Sequence, residues 1–235
     1  MNQVYSAVIF DLYGTLVDDL TSPRIQMTKY RRVLSEMAFE LRVPADEFVR
    51  LWMKTSDKRA RGEFPDLESN LVDICRVLGE TCGADRVAEA VLLRVEFIRR
   101  ALIPREDTID TLRAIRESGH KVGLISDCGF DTVEVWRDSY LATLIDEAIL
   151  SCSVGVKKPD PRIYQLACQR LEVPPDKCLY VGDGGSTELA GATEIGMQAV
   201  LIRAMYDDEI GGSREEWPGL RVSTLGGIMP LLEID

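Results

Sequence analysis

From residue 105 onward, helix-patterned segments and short apolar runs take turns along the chain. "DTIDTLRAIRESG" has apolar residues at three- and four-residue steps and closes at Gly119. "KVGLIS" follows, then "DTVEVWRDSYLA", "EAILS", "PRIYQLACQRLEV", "CLYVGD", "TELAGATEIG" and "QAVLIR". The strand-length runs lack a polar face, so they are predicted to be buried on both sides. A helix between successive strands makes them parallel neighbours in one sheet. "VYSAVIFDL" near the N-terminus reads as one further strand, and "RVSTL" and "GIMPLLEI" as short closing elements. The predicted fold class is α/β.

Between the first strand and this alternating half lies a stretch with helical periodicity only. "QMTKYRRVLSEMAFEL", "LESNLVDICRVLGE" and "DRVAEAVLLRVEFIRRAL" repeat apolar residues at helical steps. The expected organisation is a core made of residues 1–17 and 103–235, interrupted by an all-helical insertion over 18–102. Leu92, Val95 and Phe97 read as core positions of the last of these helices. The stretch "YDDEIGG", with Asp207, Asp208 and Glu209, reads as an exposed loop.

Charge narrows the partners. The 235 residues carry a formal net charge of −11, where a nucleic-acid binder needs a basic footprint. An anionic membrane surface is disfavoured for the same reason. The N-terminal apolar run is short and contains Asp11, unlike a signal peptide, and no stretch reaches the length of a membrane span. A soluble cytoplasmic protein with a small anionic substrate, no nucleic acid and no membrane is expected. The six cysteines form no CxxC pair and read as buried reduced thiols. His120, the single histidine, reads as a surface turn residue, and its solitude argues against a Ser-His-Asp triad or a histidine metal site.

In an open parallel sheet, ligands bind beyond the carboxyl ends of the strands. Each predicted strand end here offers reactive groups. "VIFD" ends in Asp11, with Thr15 just behind, and "GLIS" ends in Ser126, followed by Asp127. The loop after "AILS" carries Lys157 and Lys158, and "LYVGD" ends in Asp183, with Glu188 entering the next helix.

"FDLYGTLV", "LIS", "VKKPDPRIY" and "VGDGGSTELAGATEIGM" together resemble the four ordered motifs of the haloacid dehalogenase superfamily. The resemblance implies a Rossmann-like core with a helical cap. It also implies that Asp11 attacks the substrate to form a covalent aspartyl intermediate. Magnesium would be held by Asp11, the Tyr13 backbone carbonyl, Asp183 and Glu188, offsetting repulsion between the carboxylate and a phosphate dianion. Thr15 and Ser126 would donate to the substrate anion, with Asp127 beside them. Lys158, next to Pro159 as in the family, would supply a fixed positive charge. The last motif departs from the family pattern: four residues separate Asp183 from Glu188, where two aspartates separated by three residues are usual.

Tyr13 is the second departure, since most phosphatases of the superfamily carry there an aspartate that moves protons. A tyrosine, with a reference pKa near ~10, is a poor substitute at neutral pH. A halide leaving group needs no proton, and "FDLYGTL" resembles the start of metal-independent 2-haloacid dehalogenases. Against that reading, those enzymes carry a cap arginine directly after a Leu-Trp pair, whereas Leu51-Trp52 is followed here by Met53. Arg59 or Arg61 is an alternative anion contact, or else a residue of a solvated loop. The expectation is a magnesium-dependent phosphatase of a small phosphorylated metabolite, with Asp127 or Asp18 as candidate proton carriers. The alternatives are a 2-haloacid dehalogenase and a catalytically impaired binding module of the same fold.

Overall fold

The strands form because their side chains find apolar partners on both faces of a sheet. Val8 and Phe10 belong to one buried cluster, and Ala7 and Ile9 to the cluster on the opposite face. The computed structural model describes residues 5–17, 23–203 and 216–234. Asp18 and the 207–209 acidic stretch therefore lie outside the described residues. The strands are β1 (Ala7–Phe10), β2 (Lys121–Ser126), β3 (Glu147–Leu150), β4 (Cys178–Gly182), β5 (Gln198–Ile202) and β6 (Leu220–Val222). They pair in the order β3-β2-β1-β4-β5-β6, all parallel. Phe10 aligns with both Leu124 and Val181, so the chain leaves β1, β2 and β4 along one edge. Strand order reverses between β1 and β4, which is where an open sheet leaves a crevice.

Five helices follow β1: α1 (Pro23–Leu41), α2 (Ala45–Lys54), α3 (Ser56–Ala60), α4 (Leu67–Val77) and α5 (Ala84–Ala101). They enclose a core of their own, with Leu34, Met37, Phe48, Trp52, Leu71 and Ile74 fully or almost fully buried. The sheet is covered by α6 (Thr108–Glu117), α7 (Phe130–Arg137), α8 (Ser151–Val154), α9 (Pro161–Leu171) and α10 (Glu188–Glu194). Together these elements make the expected α/β fold. No described helix is long and apolar enough to cross a membrane.

Several expectations change. The helix read through "DTVEVWRDSYLA" is broken: α7 stops at Arg137, and Ser139 accepts a hydrogen bond from the Ala142 N–H to start a 3₁₀ turn over Tyr140–Leu144. "GIMPLLEI" forms 3₁₀ turns over Leu225–Leu232 containing Pro230, which has no N–H for a regular helix. Cys75 and Cys82 are joined in a disulfide, because the chain reverses after α4 and brings their Cα atoms to 6.3 Å. Cys128, Cys152, Cys168 and Cys178 are free and buried, as read from sequence. Leu92 faces solvent at 59% exposure, because the buried stripe of α5 runs through Val87, Ala90, Val91, Arg94 and Ile98. His120 is buried rather than superficial, its Nδ1 2.7 Å from the Ser118 hydroxyl at the start of β2.

Candidate active site

Asp11 is the first residue after β1, and its N–H donates to the Val181 carbonyl at 2.9 Å, fixing the backbone against β4. Lys158 sits in the loop before α9, with Nζ 2.5 Å from Asp11 Oδ1 and 2.5 Å from Glu188 Oε2. All three side chains are almost fully buried. Glu188 opens α10, and its Oε2 also accepts from the Tyr180 hydroxyl at 2.8 Å. Its Oε1 accepts from the Gly184 N–H at 3.1 Å. Asp183, directly after β4, completes the group: one oxygen from each of Asp11, Asp183 and Glu188 lies within 4.8 Å of the others.

Burial and mutual repulsion act on these acids together. Burial pushes Asp11 up to about 6, opposed by Lys158 and reinforced by Asp183. Burial likewise raises Glu188 to about 8 against the pull of Lys158. Burial lowers Lys158, but Asp11 and Glu188 outweigh it and hold the amine well above its ordinary value. The ammonium form of Lys158 is thus secure, while three carboxylates crowd one cation.

Two glycines make this approach possible. Gly14 has a positive φ of 78°, and a β-carbon there would run into the Asp183 carboxylate. A β-carbon on Gly182 would overlap Glu188 Oε1. The 12–17 turn is held from outside, with the Arg105 N–H and the Thr108 hydroxyl both donating to the Leu16 carbonyl, the latter at 2.7 Å. Within it Thr15 is fully buried, and its hydroxyl finds no partner among the described residues. The Ser126 hydroxyl at the end of β2 is likewise buried and without a partner among the described residues. Buried hydroxyls are normally bonded, so two orphans at adjacent strand ends suit a ligand that accepts hydrogen bonds.

Above the strand ends a crevice of about 1170 Å³ opens, lined by Tyr13, Asp127 and Asp183 from the sheet side and Tyr30, Arg59 and Arg94 from the helical side. The Tyr13 hydroxyl lies 3.1 Å from Thr132 Oγ1, and burial holds it well above its ordinary pKa. Arg59 and Arg61 part company. Arg61 pairs with Asp57 at 2.9 Å and does not line the crevice. Arg59 is half-buried, which removes the solvated-loop reading for it. Its guanidinium stacks 3.8 Å above the Trp52 ring, and its Nη1 donates to the Trp52 carbonyl at 2.8 Å. Arg94, which the sequence reading did not single out, pairs with Asp131 of α7 at 2.7 Å, both side chains being buried. An arginine on an otherwise apolar helical stripe was the available signal. Tyr30, Trp52 and Phe97 surround its guanidinium at 5.1–5.5 Å.

A carboxylate fixed beside an ammonium at the carboxyl edge of a parallel sheet suits nucleophilic catalysis through a covalent intermediate. Residues 5–196 match the family described as haloacid dehalogenase-like hydrolase, and the chain belongs to that family. It is 35% identical to the glyceraldehyde 3-phosphate phosphatase of Methanopyrus kandleri over 86% of each chain. It is 25% identical to (S)-2-haloacid dehalogenase 1 of a Pseudomonas species over 83% of each chain. The solved structure of a 2-haloacid dehalogenase from Pseudomonas syringae pv. Tomato DC3000 superposes with a TM-score of 0.70. That likeness covers 97% of this chain and 98% of the other at 22% identity, and it shows the shared fold.

Proposed function

We propose that this hydrolase is a magnesium-dependent phosphatase of a small phosphorylated metabolite. The observation that carries the reading is the buried triad Asp11, Asp183 and Glu188 with a single lysine among them. Such an excess of carboxylate oxygen suits a hard divalent cation. It would repel an anionic substrate in the cation's absence. Asp11, the Tyr13 carbonyl and Asp183 would hold the ion. Glu188, already engaged by Lys158, Tyr180 and the Gly184 N–H, would support it from behind. When bound, the ion supplies charge neutralisation for the approach of carboxylate to phosphate.

The remaining roles belong to the chain's own residues. Asp11 attacks phosphorus, and the leaving oxygen departs. Lys158 keeps Asp11 oriented and offsets charge on the phosphoryl oxygens. The Thr15 and Ser126 hydroxyls donate to those oxygens. The helical segment 18–102 serves as a cap that closes the crevice over the 1–17 and 103–235 core and excludes water. The 35% identity to a glyceraldehyde 3-phosphate phosphatase supports a substrate of about triose-phosphate size.

A second reading, 2-haloacid dehalogenase, is favoured by Tyr13, which provides no ready proton for an ester leaving group. One assay separates the two. Phosphate release from p-nitrophenyl phosphate and glyceraldehyde 3-phosphate is expected with magnesium and lost in EDTA, with no halide from 2-chloropropionate. Asp11→Asn should lower phosphate release by about 10⁴-fold or more. Halide release that persists in EDTA without phosphatase activity would reverse the assignment.

A further inference from the structure

A phosphatase acting on an alkyl ester must protonate its leaving group and then deprotonate a water, so some side chain has to face both. The inference below rests on the phosphatase reading. On the sheet side the described titratable groups lining the crevice are Tyr13, Asp127, Cys128, Asp131, Lys157 and Asp183. Five are committed elsewhere. The Cys128 thiol is engaged with Cys152, and that contact and burial hold it well above its ordinary pKa. Asp131 is paired with Arg94 at 2.7 Å, and Lys157 with Asp57 at 2.8 Å. Asp183 belongs to the acidic triad, and the Tyr13 hydroxyl is bonded to Thr132.

Asp127 differs. Its Oδ1 accepts the Lys158 backbone N–H at 2.9 Å, which fixes the carboxylate plane against the loop that delivers the active lysine. Its Oδ2 is buried and has no partner among the described residues. It directly follows Ser126, whose hydroxyl likewise has none. One oxygen anchored and one without a described partner, on a residue that lines the crevice, is the arrangement a proton carrier requires.

We propose that Asp127 is a catalytic residue that moves protons through Oδ2, in the place where Tyr13 cannot. In its protonated form Asp127 gives its proton to the ester oxygen as Asp11 bonds to phosphorus and the phosphorus–ester bond breaks. The resulting Asp127 carboxylate then takes a proton from a water whose oxygen attacks phosphorus. The bond to Asp11 breaks, phosphate leaves, and Asp11 and protonated Asp127 are restored. Ester plus water has become alcohol plus phosphate.

The test is Asp127→Asn, which keeps the acceptor for the Lys158 N–H and removes the proton. Glycerol 3-phosphate, with a basic leaving group, should lose about 10²–10⁴-fold in turnover and show no burst. With p-nitrophenyl phosphate, whose leaving group needs no proton, the first turnover should stay fast. A burst of about one nitrophenolate per enzyme should then give way to a slow steady state as the aspartyl phosphate accumulates. Asp127→Glu should recover part of the steady-state rate. Unchanged activity, or an equal loss on both substrates without a burst, would overturn the proposal and leave Asp127 a positioning residue. Should Asp127→Asn fail to fold, Asp127→Ser gives the same two-substrate readout. A wild-type protein that releases no phosphate from either ester sinks the phosphatase reading itself, a different result from a fully active Asp127→Asn enzyme.

Discussion

Two buried ionic groups, one at the strand ends and one joining the helical segment to the core, are built differently. At the strand ends Lys158, from the loop before α9, serves two carboxylates: Asp11 directly after β1 and Glu188, the first residue of α10. Arg94 of the helical segment serves one carboxylate of the core, Asp131, and the rings of Tyr30, Trp52 and Phe97 surround its guanidinium. The first group has more negative charge than it can neutralise and is held by short, rigid attachments. The second is balanced and apolar-walled, and links α5 to α7. An unbalanced rigid group suits chemistry, where a charge must be waiting for the substrate. A balanced group between two helices suits recognition and closure.

Among substitutions that set the two cations against each other, removing the lysine should have the largest effect. Lys158→Met is expected to cut turnover by at least about 10²–10³-fold, because the fixed positive charge at the phosphoryl oxygens is lost. It should also cost stability, on the order of 3–5 kcal/mol, as a buried charge network loses its only described cation. The sign with pH follows from the raised acids. Without the ammonium, Asp11 and Glu188 rise further above their unfolded values, so the folded protein holds protons that the unfolded chain releases. That stability is present at low pH and is lost as pH rises through the folded pKa values. Urea unfolding of metal-free protein should therefore show a larger penalty for Lys158→Met at pH 8 than at pH 5, and an equal penalty would show that the pair is not ionic.

Arg94→Met should behave otherwise. It leaves Asp131 buried and uncompensated, so a loss of about 3 kcal/mol is expected, with part restored by adding Asp131→Asn. Its kinetic signature should be a KM raised by about tenfold with kcat nearly kept. A fall in kcat with unchanged KM would erase the distinction drawn between the two groups.

The smallest effect is expected far from both groups. His120 lies at the opposite edge of the sheet, where burial lowers its pKa. The unfolded chain then binds the proton more readily, so His120 costs stability as pH falls below about 6.5. His120→Gln should flatten that decline in thermal melts between pH 7 and 5 without altering kcat or KM, and so serves as a control for global stability.

What the sequence made legible follows from where short-range rules apply. The strands and their carboxyl-end residues were readable because apolar runs and the residues that end them are local features. Lys158 was separated from Lys157 by its proline neighbour, and the two differ sharply in the fold: Lys158 is buried among carboxylates, while Lys157 reaches Asp57. Glu188 needed only its place at a helix start. The helical side was opaque because its contacts join distant segments. Nothing near residue 94 announces Asp131, and nothing in the seven-residue spacing of Cys75 and Cys82 announces a disulfide. Arg59 read as part of a polar loop because its platform, Trp52, lies on a different helix. Tyr13 was identified as unusual, yet its partner Thr132 lies 119 residues away.

The placing of β1 between β2 and β4 has a consequence for biosynthesis. The middle strand of the sheet is the first one to leave the ribosome, and its second neighbour begins only at Cys178. At typical translation speeds, roughly 5–20 residues per second, Ala7–Phe10 waits on the order of 10–30 s for both flanks. Throughout that interval a fully apolar tetrapeptide, followed by Asp11, has unpaired backbone on at least one side. Nascent chains stalled before Cys178 should therefore be sticky and inert together, becoming soluble and competent in the same step when β4 docks.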